Sequence, residues 1–185
     1  MEKVTDEQLV IQYLNDKDEL ALEELIKRYL PRIFGFVKRY TGNEDTAADI
    51  TQETFVKVWK NMKSFDSSKS FKTWIFTIAK RTAIDELRKK EAILFSTLDN
   101  DWVNNFGESL ADKSASFLEQ ILMRQESKEL AFAISKLPAN YRSIVNMHIK
   151  DDLKLREIAD ILKKPPNTVK SRYRRGLNLL KILIK

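Results

Sequence analysis

The chain has 185 residues, of which 33 are Lys or Arg and 27 are Asp or Glu, so its formal net charge is +6. It contains no Cys and one His, which excludes disulfides, Cys-ligated zinc sites, two-His zinc motifs and most hydrolases built on a Ser-His or Cys-His pair. The longest apolar run has five residues, against roughly twenty for a membrane span, and the N-terminus is acidic and polar rather than signal-like. We therefore expect a soluble, cytoplasmic, mainly helical protein without metal, cofactor or membrane insertion.

The first 91 residues predict one all-helical domain, because apolar side chains recur there at the spacing of amphipathic helices. In chain order the predicted elements are a helix opened by a capping box at Thr5, a helix capped by Asp16 or Asp18, a further helix begun or kinked at Pro31, a turn at residues 41–43, a helix over about residues 44–62, a polar loop over residues 64–70 and a helix over about residues 71–90. The small number of Gly and Pro residues, four of each, favours such long helices.

Residues 92–117 interrupt this periodicity. Asp, Asn and Ser cluster there around Gly107, and residues 91–117 carry one basic and five acidic side chains, which favours an acidic linker. Several large apolar side chains make the segment less polar than a free tether. We therefore expect it to lie on a domain surface part of the time.

Residues 118–185 predict a second helical domain with a strongly basic end. This part holds 15 basic and seven acidic residues, and no acid follows Asp160. Helices are predicted to end at Pro138 and near Asp151, and a short helix over residues 155–162 precedes a turn and a last helix. The charge favours a polyanionic partner, although solvated Lys-rich helix faces are also common.

The last two helices have the pattern of a helix-turn-helix. Residues 163–167 form the predicted turn, and Asn167 or Thr168 can cap the second helix. The outer side of that helix carries side chains that can reach base edges in a major groove, namely Lys170, Ser171, Arg174 and Arg175. Arg172 and Lys164 are better placed for phosphates. An ordinary helical hairpin with a solvated basic face is the alternative.

One helix face of the first domain is a candidate protein interface. Asp49, Gln52 and Glu53 share that face, because they are three and four residues apart on one helix. Phe55 and Trp59 extend it, and a polar patch beside exposed aromatic rings favours a protein interface. The alternative is that either ring fills the core.

The segment over residues 69–90 is a candidate DNA-binding surface. It carries seven basic against two acidic side chains. The aromatic residues in and beside it are Phe65, Phe71, Trp74 and Phe76. Basic side chains combined with aromatic rings can hold single-stranded DNA by charge and stacking. Because Phe71 and Trp74 also have the spacing of core residues, we expect most of these rings to be buried.

Several stretches of the chain resemble the bacterial extracytoplasmic-function (ECF) sigma factors. Residues 45–59, which read DTAADITQETFVKVW, are similar to region 2.2 of that family, residues 71–88 to regions 2.3 and 2.4, and residues 137–142, 156–159 and 167–172 to region 4. The resemblance implies a region 2 domain over residues 1–91 and a region 4 helix-turn-helix domain over residues 118–185, joined by a linker over residues 92–117.

The resemblance also implies a sigma factor that binds core RNA polymerase, recognises a duplex −35 element and an unpaired −10 strand, has no catalytic residues and is controlled by an anti-sigma factor. The residues that would bind polymerase are Asp49, Gln52, Glu53, Phe55 and Trp59. Those that would contact the −10 element are Phe65, Lys72, Lys80 and Arg81. Those that would contact the −35 element are Asn167, Thr168, Lys170, Ser171, Arg172, Arg174 and Arg175.

Some positions depart from the family's pattern. Many members have Asn where this chain has Arg81, so no base preference at the −10 element is carried over. A Gly often precedes the Thr where this chain has Pro165, Pro166 and Asn167. An aromatic or aliphatic residue is frequent at the position of Arg174.

Two other functions fit parts of the sequence. A conventional helix-turn-helix regulator that binds duplex DNA as a dimer would explain residues 118–185, but it leaves the acidic helix face of the first domain without a role. A helical hydrolase or nuclease is disfavoured, because carboxylates with metal-ligand spacing are missing beyond Glu44, Asp45 and Asp49. Those three suit the start of a capped helix.

Overall fold

The structure, a computed structural model, describes residues 4–92 and 129–184. Within these residues the regular secondary structure is helical and no strand is present. The elements are α1 (Asp6–Asp16), α2 (Glu19–Thr41), α3 (Glu44–Asn61), a 3-10 turn (Met62–Ser64), α4 (Phe71–Ala92), a helical segment at residues 129–135 (α5), α6 (Ala139–Ile149), α7 (Leu155–Leu162) and α8 (Pro166–Leu183). They form two compact units, the first built from α1 to α4 and the second mainly from α5 to α8. The predicted all-α fold with two small domains is confirmed.

The predicted domain boundaries fall at the edge of the described residues or outside them. Nearly all of the linker predicted over residues 92–117, and the predicted start of the second domain at residue 118, lie outside, so these limits stay predictions. The same holds for the beginning of the helix predicted to end at Pro138. No helix in the described ranges is both long enough and apolar enough to span a membrane.

Side-chain caps set where the first three helices begin. At Thr5 the predicted capping box is present: Thr5 Oγ1 accepts from the Gln8 backbone N–H at 3.2 Å, and Gln8 Oε1 accepts from the Thr5 N–H at 2.8 Å. Asp18 caps α2 with its carboxylate. Gly42, with a φ of 64°, ends α2, and the Asn43 side chain caps α3, so the predicted turn between these helices is confirmed.

Helix α2 continues through Pro31, whereas the sequence left open that a new helix begins there. Proline removes one backbone donor and crowds the preceding turn, a cost of about 3 kcal/mol in a helix interior. Here Leu25 and Tyr29 before the proline, and Ile33 and Phe36 after it, are all buried in one core. A break at Pro31 would separate these side chains, so their common burial keeps the helix continuous.

Helix α2 is the centre of the first unit and packs against α1, α3 and α4. Its Phe36 ring meets the Phe76 ring of α4 edge-on, with centroids 5.1 Å apart. Lys57 of α3 reaches across to α4, where its Nζ donates to Thr82 Oγ1 at 3.2 Å. These contacts fix which faces of α3 and α4 point outward.

In the second unit α6 packs closely on α8 at Gly176. A Cβ atom at this glycine would lie 3.0 Å from Val145 Cγ2 and 3.3 Å from Tyr141 Cβ, so only glycine allows this approach without a shift of the neighbours. An apolar cluster surrounds the contact, comprising Ala133, Ile134, Leu137, Val145 and Leu180. The inner face of α8 is therefore fixed by packing.

The helix-turn-helix is present, but α8 begins differently from the prediction. Lys163 takes a left-handed conformation with φ 51°, and the Lys164 N–H donates to Ala159 O at 3.0 Å, which ends α7. The sequence predicted Asn167 or Thr168 as the cap of α8. That was wrong: α8 starts at Pro166 and no side chain caps it. Proline fits the first helical position because its φ is already helical and it has no N–H to satisfy.

Candidate functional site

The outer face of α8 is polar and basic. Asn167, Lys170, Ser171 and Arg174 follow the i, i+3, i+4, i+7 spacing of a single helix face. Of these, Ser171 is half-buried and the other three are exposed. The opposite face is closed by Val169, Gly176 and Leu180, which are buried. The helix thus separates an apolar inner side from a side that can reach into a nucleic-acid groove.

The remaining predicted residues of α8 lie on its flank. Thr168, Arg172 and Arg175 are rotated away from the centre of the outer face, and Arg175 is the exposed one of the three. At about 100° per residue, Arg172 lies about 160° from Lys170 around the helix. A guanidinium in that position can reach a backbone phosphate beside the groove but is poorly placed for the base that Lys170 would meet.

The single histidine helps to hold α8. His148 Nδ1 is 2.7 Å from Leu153 O, and because a carbonyl only accepts, Nδ1 carries the proton and donates. The His148 ring packs edge-on against Tyr173 of α8, with centroids 4.8 Å apart. His148 is therefore a packed residue that links the end of α6, the following turn and α8.

The outer face of α3 presents the predicted acidic and polar residues, and one more. Asp49 and Gln52 are exposed. Glu53 is half-buried and pairs with Lys57 at 2.9 Å, so its carboxylate already has a partner within the chain. Val56, four residues after Gln52, is 47% exposed. Val56 was not among the residues predicted for this face, although its i+4 spacing from Gln52 was a signal that could have revealed it.

The two aromatic residues of α3 differ in exposure. Trp59 is 57% exposed, and its Nε1 donates to the Tyr13 hydroxyl of α1 at 2.9 Å. Phe55 is half-buried. Both rings line, together with Leu22 and Ile26 of α2, an apolar cavity of about 80 Å³. Trp59 thus widens the surface of α3, whereas Phe55 belongs partly to the core, which was the alternative left open for both rings.

The loop between the 3-10 turn and α4 turns its first aromatic ring inward. Phe65 is 9% exposed, and its ring centroid lies 5.6 Å from that of Phe71 and 5.0 Å from that of Trp74. Phe71 and Phe76 are buried and Trp74 is half-buried. The expectation that most of these rings are buried is confirmed, and Phe65 therefore anchors the loop and offers little of its surface to a ligand.

The middle of this loop, residues 66–69, is exposed and organised around Asp66. Asp66 Oδ1 accepts from the Ser68 N–H at 3.0 Å and from the Ser68 hydroxyl at 2.7 Å. Lys69 Nζ lies 3.2 Å from Asp66 Oδ2. The bonds from Ser68, followed by the bond from Lys69, lower the pKa of Asp66 below its usual value of 3.8. The loop is thus a short, hydrogen-bonded turn that is open to solvent.

Helix α4 does not bring all of its predicted residues to one face. Lys72 and Arg81 are nine residues apart, which places them on opposite sides of the helix. Arg81 is exposed, and Lys72 and Lys80 are half-buried. Thr73 and Thr77 lie on the same outer side as Lys80, at the i, i+4, i+7 spacing, although neither was among the predicted residues.

A residue far away in the sequence also holds α4. Glu7 of α1 accepts a hydrogen bond from the backbone N–H of Phe71, the first residue of α4, with Oε1 2.9 Å from the nitrogen. No local sequence pattern predicts this contact, since the two residues are 64 positions apart. In the part of the chain that the structure describes, no group of three or more His, Asp or Glu side chains is placed to hold a metal ion.

Comparison with known proteins covers both units. The Sigma-70 region 2 family model matches residues 25–93, and the Sigma-70 region 4 model matches residues 127–180. The ECF RNA polymerase sigma factor SigW of Bacillus subtilis strain 168 is 30% identical over 174 residues, which is 92% of each chain. The ECF RNA polymerase sigma-E factor of Escherichia coli K12 is 31% identical over 180 residues, 95% of this chain and 92% of the relative. The chain belongs to the ECF sigma factors.

Solved structures support the fold of this sigma factor. A structure of CnrH in complex with the cytosolic domain of CnrY matches it with a TM-score of 0.64 at 20% identity, covering 97% of this chain and 96% of that one. The sigma factor RpoE of Bartonella quintana, solved with the anti-sigma factor NepR, matches with a TM-score of 0.64 at 23% identity, covering 88% and 96%. A stand-alone dimeric regulator would account for the second unit only, whereas the family matches include both.

Proposed function

We propose that this sigma factor binds core RNA polymerase in the cytoplasm and directs it to promoters through a −10 and a −35 element, with no chemistry of its own. One observation supports this most strongly: two outward faces of opposite character occur in a single chain. Helix α3 exposes Asp49, Gln52, Val56 and Trp59. The residues that α8 exposes between Asn167 and Lys181 are basic or carry amides, and α8 contains no acid. The first face suits a protein partner and the second a polyanion.

The polymerase-binding face consists of Asp49 and Gln52 at its centre, with Val56 and Trp59 extending it. An exposed tryptophan beside charged residues is typical of an interface, because the ring buries a large area and its N–H keeps a hydrogen bond. The Glu53 carboxylate, paired with Lys57, would contribute mainly by fixing the charge pattern of this face.

The −10 strand would bind where the exposed loop at residues 66–69 meets α4. An unpaired base can enter a pocket beside such a loop, since capture trades a few kcal/mol of unstacking for pocket contacts. Phe65 would form the floor beneath the loop, and Lys80 and Arg81 would hold the strand's phosphates. Lys72, on the other side of α4 from Arg81, would contact the strand only near the first turn of the helix.

The −35 element would be read by the outer face of α8 in the major groove. Lys170 and Arg174 can donate to guanine, and Asn167 and Ser171 can hydrogen-bond neighbouring base edges. The flank residues would position the helix on the backbone; these are Thr168, Arg172 and Arg175.

An anti-sigma factor is the proposed negative regulator. The Bartonella quintana sigma factor with the same fold was solved with its anti-sigma factor NepR. We propose a similar partner for this chain, and a division into a region 2 domain (1–91), a linker (92–117) and a region 4 domain (118–185).

Transcription in vitro with core RNA polymerase and a library of promoter fragments tests this function. The double variant Asp49→Arg with Gln52→Ala should abolish holoenzyme formation and transcription while the helical content stays unchanged. A matched control places the same two substitutions on exposed positions of α1, as Asp16→Arg with Gln12→Ala. The control should form holoenzyme normally. Retained holoenzyme in the α3 variant would exclude this face as the polymerase contact.

A further inference from the structure

The hydrogen bond between Glu7 and Phe71 connects α1 to the start of α4. The first N–H groups of a helix have no partner within the helix, so each must be satisfied from outside. Ser70 Oγ accepts from the Thr73 N–H at 3.2 Å, and Glu7 Oε1 accepts from the Phe71 N–H at 2.9 Å. A carboxylate is well suited to this position, because the N-terminus of a helix carries partial positive charge.

The first turn of α1 is itself fixed on α2 by the residue beside Glu7. Asp6 accepts from Arg28 Nη1 at 2.8 Å and from the Tyr29 hydroxyl. Arg28 Nη1 also donates to Val4 O at 2.9 Å. Burial, and then the bond to Asp6, raises the pKa of Tyr29, so its hydroxyl stays protonated and keeps donating. Glu7 is therefore presented to α4 from a turn that cannot easily move.

The ring of Phe71 connects the fixed start of α4 to the loop. This ring lies 5.4 Å from the Tyr29 ring of α2 and 5.6 Å from the Phe65 ring, measured between centroids. The loop thus has both ends fixed, one by the burial of Phe65 and the other by the bond from the Phe71 N–H to Glu7. Only the stretch between these anchors, residues 66–69, is exposed throughout.

We infer that Glu7 is a positioning residue for base recognition by the loop at residues 66–69. It acts through the backbone of Phe71 and does not touch DNA. The inference rests on the proposed role of this loop at the −10 element. Without the Glu7 carboxylate the aromatic rings still pack and Ser70 still caps α4, so the fold persists. The last residues of the loop, however, lose the bond that holds them in a single arrangement.

The test uses the full chain in holoenzyme with core RNA polymerase. The probe is a pool of promoter fragments in which the −10 segment is unpaired and its bases are randomised. Sequencing of the bound fraction gives the ratio of the preferred base to the others at each position. For Glu7→Ala we expect this ratio to fall by about fivefold at the position where the wild-type protein is most selective. That factor is the change in a conformational equilibrium that the loss of one helix cap typically causes. Holoenzyme formation should be unchanged.

Two further variants separate positioning from general stability. Gln8→Ala removes the capping box of α1 without touching α4 and should keep the wild-type ratio. Glu7→Gln keeps an oxygen acceptor and should restore most of the selectivity that Glu7→Ala loses. Wild-type selectivity in Glu7→Ala, or an equal loss for all bases together with loss of holoenzyme, would overturn the inference. A wild-type protein without any base preference would instead overturn the proposed role of the loop.

Discussion

The two units hold their candidate DNA-binding elements in different ways. In the first unit the exposed middle of the loop at residues 65–70 is held by local bonds to Asp66, but the start of α4 that follows it depends on hydrogen bonds between residues far apart in the chain. These are Glu7 with Phe71 over 64 positions and Asp6 with Tyr29 over 23. In the second unit the turns that lead into the helix-turn-helix are held by hydrogen bonds between residues close together in the chain. His148 bonds Leu153 five residues on, and Arg142 bonds Ser135 seven residues back.

This difference separates a surface determined by one helix from a surface assembled by several. The outer face of α8 follows from helix periodicity, since its inner face needs only to be apolar and, at Gly176, small. The loop before α4 takes its shape from α1 and α2 as well, through rings and carboxylates that a local pattern does not reveal. A substitution far from the loop can therefore alter it, whereas α8 responds mainly to changes in its own residues or its immediate neighbours.

The largest expected effect comes from removing the buried anchor of the loop. Phe65→Ala should lower the free energy of unfolding of the first unit by about 3 kcal/mol, because burial of a phenylalanine side chain and the cavity it leaves are worth that much. Hydrogen exchange followed by mass spectrometry, peptide by peptide, reports the stability of each unit separately.

The matched control for this variant lies in the second unit. Phe132 is 64% exposed and lies over the Lys136 ammonium, 5.0 Å from Nζ to the ring centroid. Phe132→Ala should therefore cost at most about 1 kcal/mol. If Phe65→Ala were as mild as this control, Phe65 would be a surface residue and the loop would not be anchored from within.

Much of the architecture could be predicted from sequence, because it depends on local chemistry. The capping box at Thr5 and the basic outer face of α8 both follow from residues within a turn or two of one another. Burial of most of the aromatic rings near α4 was predicted, but not that Phe65 in particular anchors the loop, since its packing depends on the rings that α4 brings to it. The predicted start of α8 was wrong for another reason. Pro166 fits the first helical position, and Asn167 therefore lies inside the helix and does not cap it.

The second prediction tests whether α8 recognises bases on its own. Lys170→Ala or Arg174→Ala should cost about 1–3 kcal/mol of discrimination at one position of the −35 element, if each makes a good contact to a base. Both side chains are exposed, so the fold should be unaffected. Selecting holoenzyme-bound fragments from a pool with a randomised −35 element, and sequencing them, measures the discrimination between bases at each position.

Arg172→Ala is the control on the flank of the same helix. It should weaken binding to all sequences alike and reduce the dependence of log affinity on log salt concentration by about 0.9, as expected for one lost phosphate contact. If Lys170→Ala behaved in this way instead, Lys170 would be a phosphate ligand and the assignment of the outer face would be wrong.

The smallest effect concerns the acidity of the loop, and it again distinguishes the two surfaces. Because hydrogen bonds from Ser68, and then from Lys69, lower the pKa of Asp66 below 3.8, the ionised carboxylate stabilises the turn at pH values above 3.8. That contribution is lost as the pH falls through the lower pKa of the folded state. The amide resonance of Ser68, followed by NMR, should therefore titrate with a midpoint below 3.8.

Asp66→Asn should abolish the titration while keeping an acceptor oxygen. Helix α8 contains no acid and has no carboxylate of its own to titrate. A Ser68 midpoint at or above 3.8 would mean that the turn is not held by the Asp66 carboxylate.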